Sequence, residues 1–257
     1  MASTKQSDFI YVYTLMRIAV LLVLTLMVFS CNKDGGSTGS KLDLVFELRY
    51  DGKPLSGSSE LYELNDSVKT RFSKVSFYLS DFKLNGGTEI LPLLDILHIS
   101  CLQDINGDAI QEMQSTLRFE VPAGDYRSLS FGLGLTPSQN ATIPADHKPG
   151  SALSLTSEYW PAWESYIYEK IEGAYKLNDE TEKSIALHVG SDDTYRVMKW
   201  KDGFSLNGDQ VEKIIIPIDL KNILKDYPIT EAPVLHKLEQ LPYMEMIANR
   251  FSESMNN

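Results

Sequence analysis

Leu42-Asp43-Leu44-Val45-Phe46-Glu47-Leu48-Arg49-Tyr50 is the stretch that decides the fold class. Leu42, Leu44, Phe46, Leu48 and Tyr50 take every second position, with Asp43, Val45, Glu47 and Arg49 between them. Successive side chains of a strand point to opposite faces, so this order predicts a sheet with one row buried on a core. Asp51-Gly52 directly behind it supplies a turn.

The same reading extends outward. Val75, Phe77 and Leu79 alternate, then the apolar parity moves to Phe82 and Leu84, which predicts a β-bulge at Ser80-Asp81. Further strands are expected at 93–99, 117–121, 129–135, 166–172, 185–189, 196–200 and 213–218, separated by Gly, Asn, Asp and Pro. Met244, Ile247, Ala248, Phe251 and Met255 recur at helical spacing behind Pro242, and residues 219–226 suit a shorter helix. Residues 136–154 carry three prolines and read as an irregular loop. Many short strands and few helices predict an all-β fold, an antiparallel β-sandwich with a C-terminal helix.

At the other end, residues 18–29 form an apolar run preceded by Arg17, too short to cross a bilayer as a helix, and read as the core of a signal peptide. Val28-Phe29-Ser30-Cys31 looks like a lipobox, with Cys31 as the lipidated residue, and Asn32-Lys33-Asp34-Gly35-Gly36-Ser37 follows as a polar tether. The expected organisation is a signal peptide at 1–30, a tether at 31–40 and one domain at 41–257. The implied location is the cell envelope, lipid-anchored in the outer membrane of a Gram-negative bacterium. With 257 residues and 43% hydrophobic content the chain can bury one sizeable core. A net charge of −11 argues against nucleic-acid partners, which need clustered Lys and Arg. Beyond Cys31 the only cysteine is Cys101, so the domain has no internal disulfide. His98 stands three positions before it, on the opposite face of a strand, which speaks against a shared metal site.

The chemistry concentrates in residues 159–190. Trp160 and Trp163 flank Pro161, which restricts the backbone there. Ile167 and Ile171 share one strand face and Tyr166, Tyr168 and Glu172 the other, with Gly173 expected to end the strand. Ile185, Leu187 and Val189 then share a face, so His188 emerges opposite an apolar row. No Gly-x-Ser-x-Gly, phosphate loop, His-Glu-x-x-His or Cys-x-x-Cys is present, and no enzymatic activity is expected. Asp104-Ile105-Asn106-Gly107-Asp108 reads as a hairpin turn, lacking the spacing of a calcium loop. On residue type alone two readings stand: metal binding through histidine, or an aromatic patch of Tyr159, Trp160 and Trp163 that takes a carbohydrate or protein partner.

The order of these patterns resembles the MbnP-like family of methanobactin-associated copper-binding proteins, in which a Trp-rich segment leads to Tyr, then Glu-Gly, then His-x-Gly. Here the counterparts are Trp160, Tyr166, Glu172-Gly173 and His188-Val189-Gly190. Pro122-Ala123-Gly124-Asp125-Tyr126 before Phe131-Gly132-Leu133-Gly134 also resembles a family turn and strand, as do Ile216-Pro217-Ile218-Asp219-Leu220 and Met246-Ile247-Ala248-Asn249-Arg250-Phe251 its closing strand and helix. The resemblance implies a copper site built from histidines and an oxidised tryptophan (kynurenine), with a di-haem peroxidase-like enzyme as the modifying partner. Carried residue by residue, it points to His188, then Trp160, then His147.

Overall fold

A computed structural model describes residues 39–256, apart from 58, 106–107, 111–112, 179, 201–202 and 209. The signal peptide and Cys31 lie outside the described residues. In chain order the elements that position the site are β1 (Ser40–Tyr50), β2 (Val68–Asn85), β3 (Ile90–Ile105), β4 (Gln114–Val121), β5 (Ser128–Leu133), β6 (Tyr159–Trp160), β7 (Ser165–Leu177), β8 (Lys183–Gly190), β9 (Arg196–Trp200) and β10 (Val211–Asp219). Helix α1 (Leu220–Leu224), the short strand β11 (Val234–Leu235) and helix α2 (Leu241–Met255) follow.

The alternating stretch that opens the domain is the centre of the smaller sheet. There β1 lies antiparallel to β4, with Leu44 opposite Leu117, and parallel to β10, with Leu44 opposite Ile214. The larger sheet runs β9-β5-β2-β7-β8-β11, with β3 and β6 pairing to β2 and β7. Most pairings are antiparallel; β1 with β10 and β8 with β11 are parallel. Period-two alternation specifies which face is buried but not the direction of the neighbouring strand. The fold is mostly β, a sandwich-like pair of curled sheets with a C-terminal helix.

Leu42, Phe46, Phe77, Leu79, Phe131, Ile171 and Leu187 meet in one core, which α2 completes with Met244, Ile247, Ala248, Phe251 and Met255. Phe251 packs on Phe77 with ring centroids 5.3 Å apart. A second, smaller cluster of Tyr78, Leu135, Leu153, Tyr166 and Tyr168 lies apart from this core. It is held by the 135–154 segment, whose Ala152 and Leu153 carbonyls accept the Tyr78 and Tyr166 hydroxyls, each at 2.8 Å.

Two irregularities shape the sheet. The parity change in β2 is a bulge: Asp81 takes φ 55° and the pairing with β5 shifts register between Ser80 and Lys83. Gly173 does not end β7, which continues to Leu177. The pairing with β2 shifts register between Glu172 and Gly173, and a Cβ on Gly173 would lie 1.9 Å from the Arg71 carbonyl oxygen. Glycine here lets two backbones approach within a continuing strand. Two positions before Ile171, Glu169 is 1% exposed, and neither of its carboxyl oxygens has a hydrogen-bond partner among the described residues. Burial raises its pKa well above the usual carboxylate range, with only the charge of Arg196 opposing.

Candidate metal centre

The Trp-rich segment is a hairpin laid along the start of β7. Tyr159 pairs with Tyr166 and Trp160 with Ser165, and the intervening turn closes with Trp163 N donating to Trp160 O at 3.1 Å. Glu164 takes φ 51° to complete it. The hairpin is fastened from both sides. Asn140 Oδ1 accepts from Tyr166 N at 2.9 Å, while its Nδ2 donates to Asp192 at 3.0 Å. Just before Tyr159, the buried carboxylate of Glu158 meets Lys170 Nζ at 2.9 Å and Lys74 Nζ at 3.4 Å. Lys170 Nζ also donates to Ser157 O at 2.5 Å. A buried charge pair of this kind fixes geometry, because either partner alone would be left desolvated and unpaired.

His188 stands on β8 opposite Lys170 of β7, on the face that points away from Ile185, Leu187 and Val189. There the Trp160 indole lies against it, centroids 5.6 Å apart at 60°. A third segment reaches the same place. Strand β11 pairs with β8 through Ala186–Val234 and Leu187–Leu235, which carries His236 up beside His188. The two imidazoles are 4.9 Å apart and inclined by 28°, and His236 is 5.1 Å from Trp160. The backbone of this segment is held by Gln240, whose Oε1 accepts from His236 N at 2.9 Å and whose Nε2 donates to Val234 O at 2.8 Å. Trp163 packs on Trp160 at 4.0 Å.

Desolvation pushes the His236 pKa down, reinforced by the neighbouring His188 and opposed by Glu172. Glu172 Oε1 lies 2.7 Å from His188 Nε2. That hydrogen bond is the main reason the Glu172 carboxyl titrates below its usual range, against the opposing effect of burial.

Of the residues singled out in the sequence, the structure brings together His188, Trp160 and Trp163. Tyr159 turns instead to Tyr166, edge-on at 5.0 Å. His147 does not join the group. Its Nε2 is 2.8 Å from Thr142 Oγ1, and it lines a separate groove with Leu94, Ile96 and Leu153. The alignment of His147 with a family position is thus not matched by proximity, because the capped turn at Thr136 to Asn140 and the Asp146 contact to Ile143 N fold that loop over β3. His98 contacts Tyr78 at 4.8 Å while Cys101 is buried in the main core, on opposite faces of β3 as strand geometry requires. His236 was not singled out because the strand just before it, Val234–Leu235, is too short to show alternation. Glu172 carried a signal: it and His188 lie on the polar faces of consecutive antiparallel strands.

Among the described residues no group of three or more His, Cys, Asp and Glu side chains is arranged to hold a metal ion. The donors that do converge are two imidazoles and an indole. Imidazole nitrogen suits copper, and the His236 ring makes no hydrogen bond among the described residues, so this pair fits that metal.

The rings of Trp160, His188 and His236 thus gather from three chain segments at β8 of a sandwich-like β fold. Residues 39–238 match the family model MbnP, and the chain belongs to the MbnP family. Among solved structures, MbnP from Methylosinus trichosporium is similar at 12% identity, over 73% of this chain and 78% of that one, with a TM-score of 0.49. No curated protein matches the chain.

Proposed function

We propose that this chain is a non-catalytic copper-binding member of its family, anchored in the cell envelope through lipid on Cys31. His188 and His236 would hold the metal, and Trp160, oxidised by a di-haem peroxidase-like partner, would complete the donor set. The observation that carries the reading is the meeting of Trp160, His188 and His236, from three separate segments, with ring centroids 4.9 to 5.6 Å apart. Bound copper would supply a soft cationic centre for which neutral imidazoles are suitable donors. No helix among the described residues is long and apolar enough to cross a membrane.

The rival reading is a carbohydrate- or protein-binding patch of Tyr159, Trp160 and Trp163. It has less support: the two indoles pack on each other at 45° and Tyr159 packs on Tyr166, whereas a sugar platform needs open aromatic faces.

Calorimetry of the purified chain with cuprous and cupric ions, beside a glycan panel, tests both. The copper reading expects saturable binding that His188→Ala and His236→Ala each weaken strongly, together with a mass change on the Trp160 peptide after exposure to the oxidising partner. Glycan binding without copper binding would overturn it. Incorporation of labelled fatty acid into wild type but not Cys31→Ala tests the anchor; label retained in the variant would refute it.

A further inference from the structure

Resting on the copper reading, we propose that Glu172 is a positioning residue that selects which nitrogen of His188 meets the metal. Its oxygen lies 2.7 Å from His188 Nε2. A carboxylate can only accept, so the proton of this bond sits on Nε2, and whenever the ring is neutral its lone pair is left on Nδ1. The strand register brings two lysines to the Glu172 side chain. Lys74 stands directly across from it on β2, and buried Lys170 is its next neighbour on the same face of β7.

The same bond limits ring rotation. Turning the imidazole over would break the contact with Glu172 and redirect Nδ1 away from its present surroundings. Trp160 at 5.6 Å and His236 at 4.9 Å, themselves 5.1 Å apart, close a triangle with the ring and limit its tilt. Carboxylate partners of ligating histidines act in this way in metal sites generally, and their loss typically costs about 10–100-fold in affinity. Glu172 itself is not offered as a ligand: one oxygen is engaged by Nε2, and its role acts through His188.

The test uses Glu172→Ala and Glu172→Gln. The Gln variant keeps an oxygen that accepts from Nε2–H while removing the charge, and both changes are at a partly exposed site that leaves the core intact. Long-range proton–nitrogen NMR of the metal-free chain at mildly alkaline pH reads the His188 tautomer directly. Wild type and Glu172→Gln are expected to show the Nε2–H form, and Glu172→Ala a mixture. Cuprous titration is expected to show an affinity loss of about 10–100-fold for Glu172→Ala and a smaller one for Glu172→Gln. An Nδ1–H tautomer in wild type, or one unchanged in Glu172→Ala, would overturn the proposal whatever copper does. The expected tautomer in a wild-type chain that binds no copper would instead sink the copper reading, and the positioning role with it.

Discussion

Replacing Glu169 by Gln should stabilise the domain, and by an amount that grows with pH. The side chain is 1% exposed and neither oxygen has a hydrogen-bond partner among the described residues, so folding holds the carboxyl in its neutral form. Its folded pKa is raised by desolvation above the unfolded value, and Arg196 only partly opposes this. For a raised acid, the folded state binds the proton that the unfolded state has released. Stability is therefore full below the unfolded value near 4.5 and falls as pH climbs toward the folded one. Within that window the slope is about 1.4 kcal/mol per pH unit. Two and a half pH units set a ceiling of about 3.4 kcal/mol at pH 7, from the same constant. Gln has nearly the same shape and never ionises, so wild type and variant should be close at pH 4.5 and diverge above it. Urea unfolding followed by tryptophan fluorescence, at half-unit steps from pH 4.5 to 8, measures the difference. Parallel stability curves would refute the reasoning, because they would mean that Glu169 has a partner or reaches water.

Lys170→Met should leave buried Glu158 with only the longer contact to Lys74, at 3.4 Å, and so cost less than the about 3–5 kcal/mol of a fully unpaired buried charge, with Lys170→Met/Glu158→Gln recovering part of the loss; a single variant as stable as wild type in urea would contradict the fastening of the Trp hairpin. The same variant should alter the emission of Trp160 and Trp163, since Glu158 and Ser157 adjoin their strand. Gly173→Ala should destabilise by more than the about 1–3 kcal/mol usual for overpacking, because the new Cβ meets backbone, the Arg71 carbonyl, rather than a movable side chain; thermal unfolding checks it, and an unchanged midpoint would show that the strands can part there.

Legibility followed the strength of local periodicity. Leu42 to Tyr50 announced a strand because one row had to be buried, and Met244, Ile247, Ala248, Phe251 and Met255 announced α2 for the same reason at a different period. The extent of β7 beyond Gly173 was hidden, since a glycine marks a turn and a close strand crossing alike, and only the approach of Arg71 distinguishes them. In the site, His188 and Trp160 were readable from their faces and from family order. His236 was not, because its position depends on a parallel pairing with β8 that no local pattern encodes. His147 was carried over from the family resemblance, whereas the Thr136 cap and the loop's contacts place it away from His188.

The parallel pairing of β1 with β10 joins Leu44 to Ile214, positions about 170 residues apart. Closing so long a loop comes at a large entropic cost before any contact rewards it, and topologies dominated by such pairings fold slowly. During synthesis or passage from the amino end, β1 emerges long before the strand that will flank it, with Leu42, Leu44, Phe46 and Leu48 uncovered. The last fifth of the chain therefore controls when the domain can assemble, and a truncation ahead of Val211 would leave β1 with an open edge available to other chains.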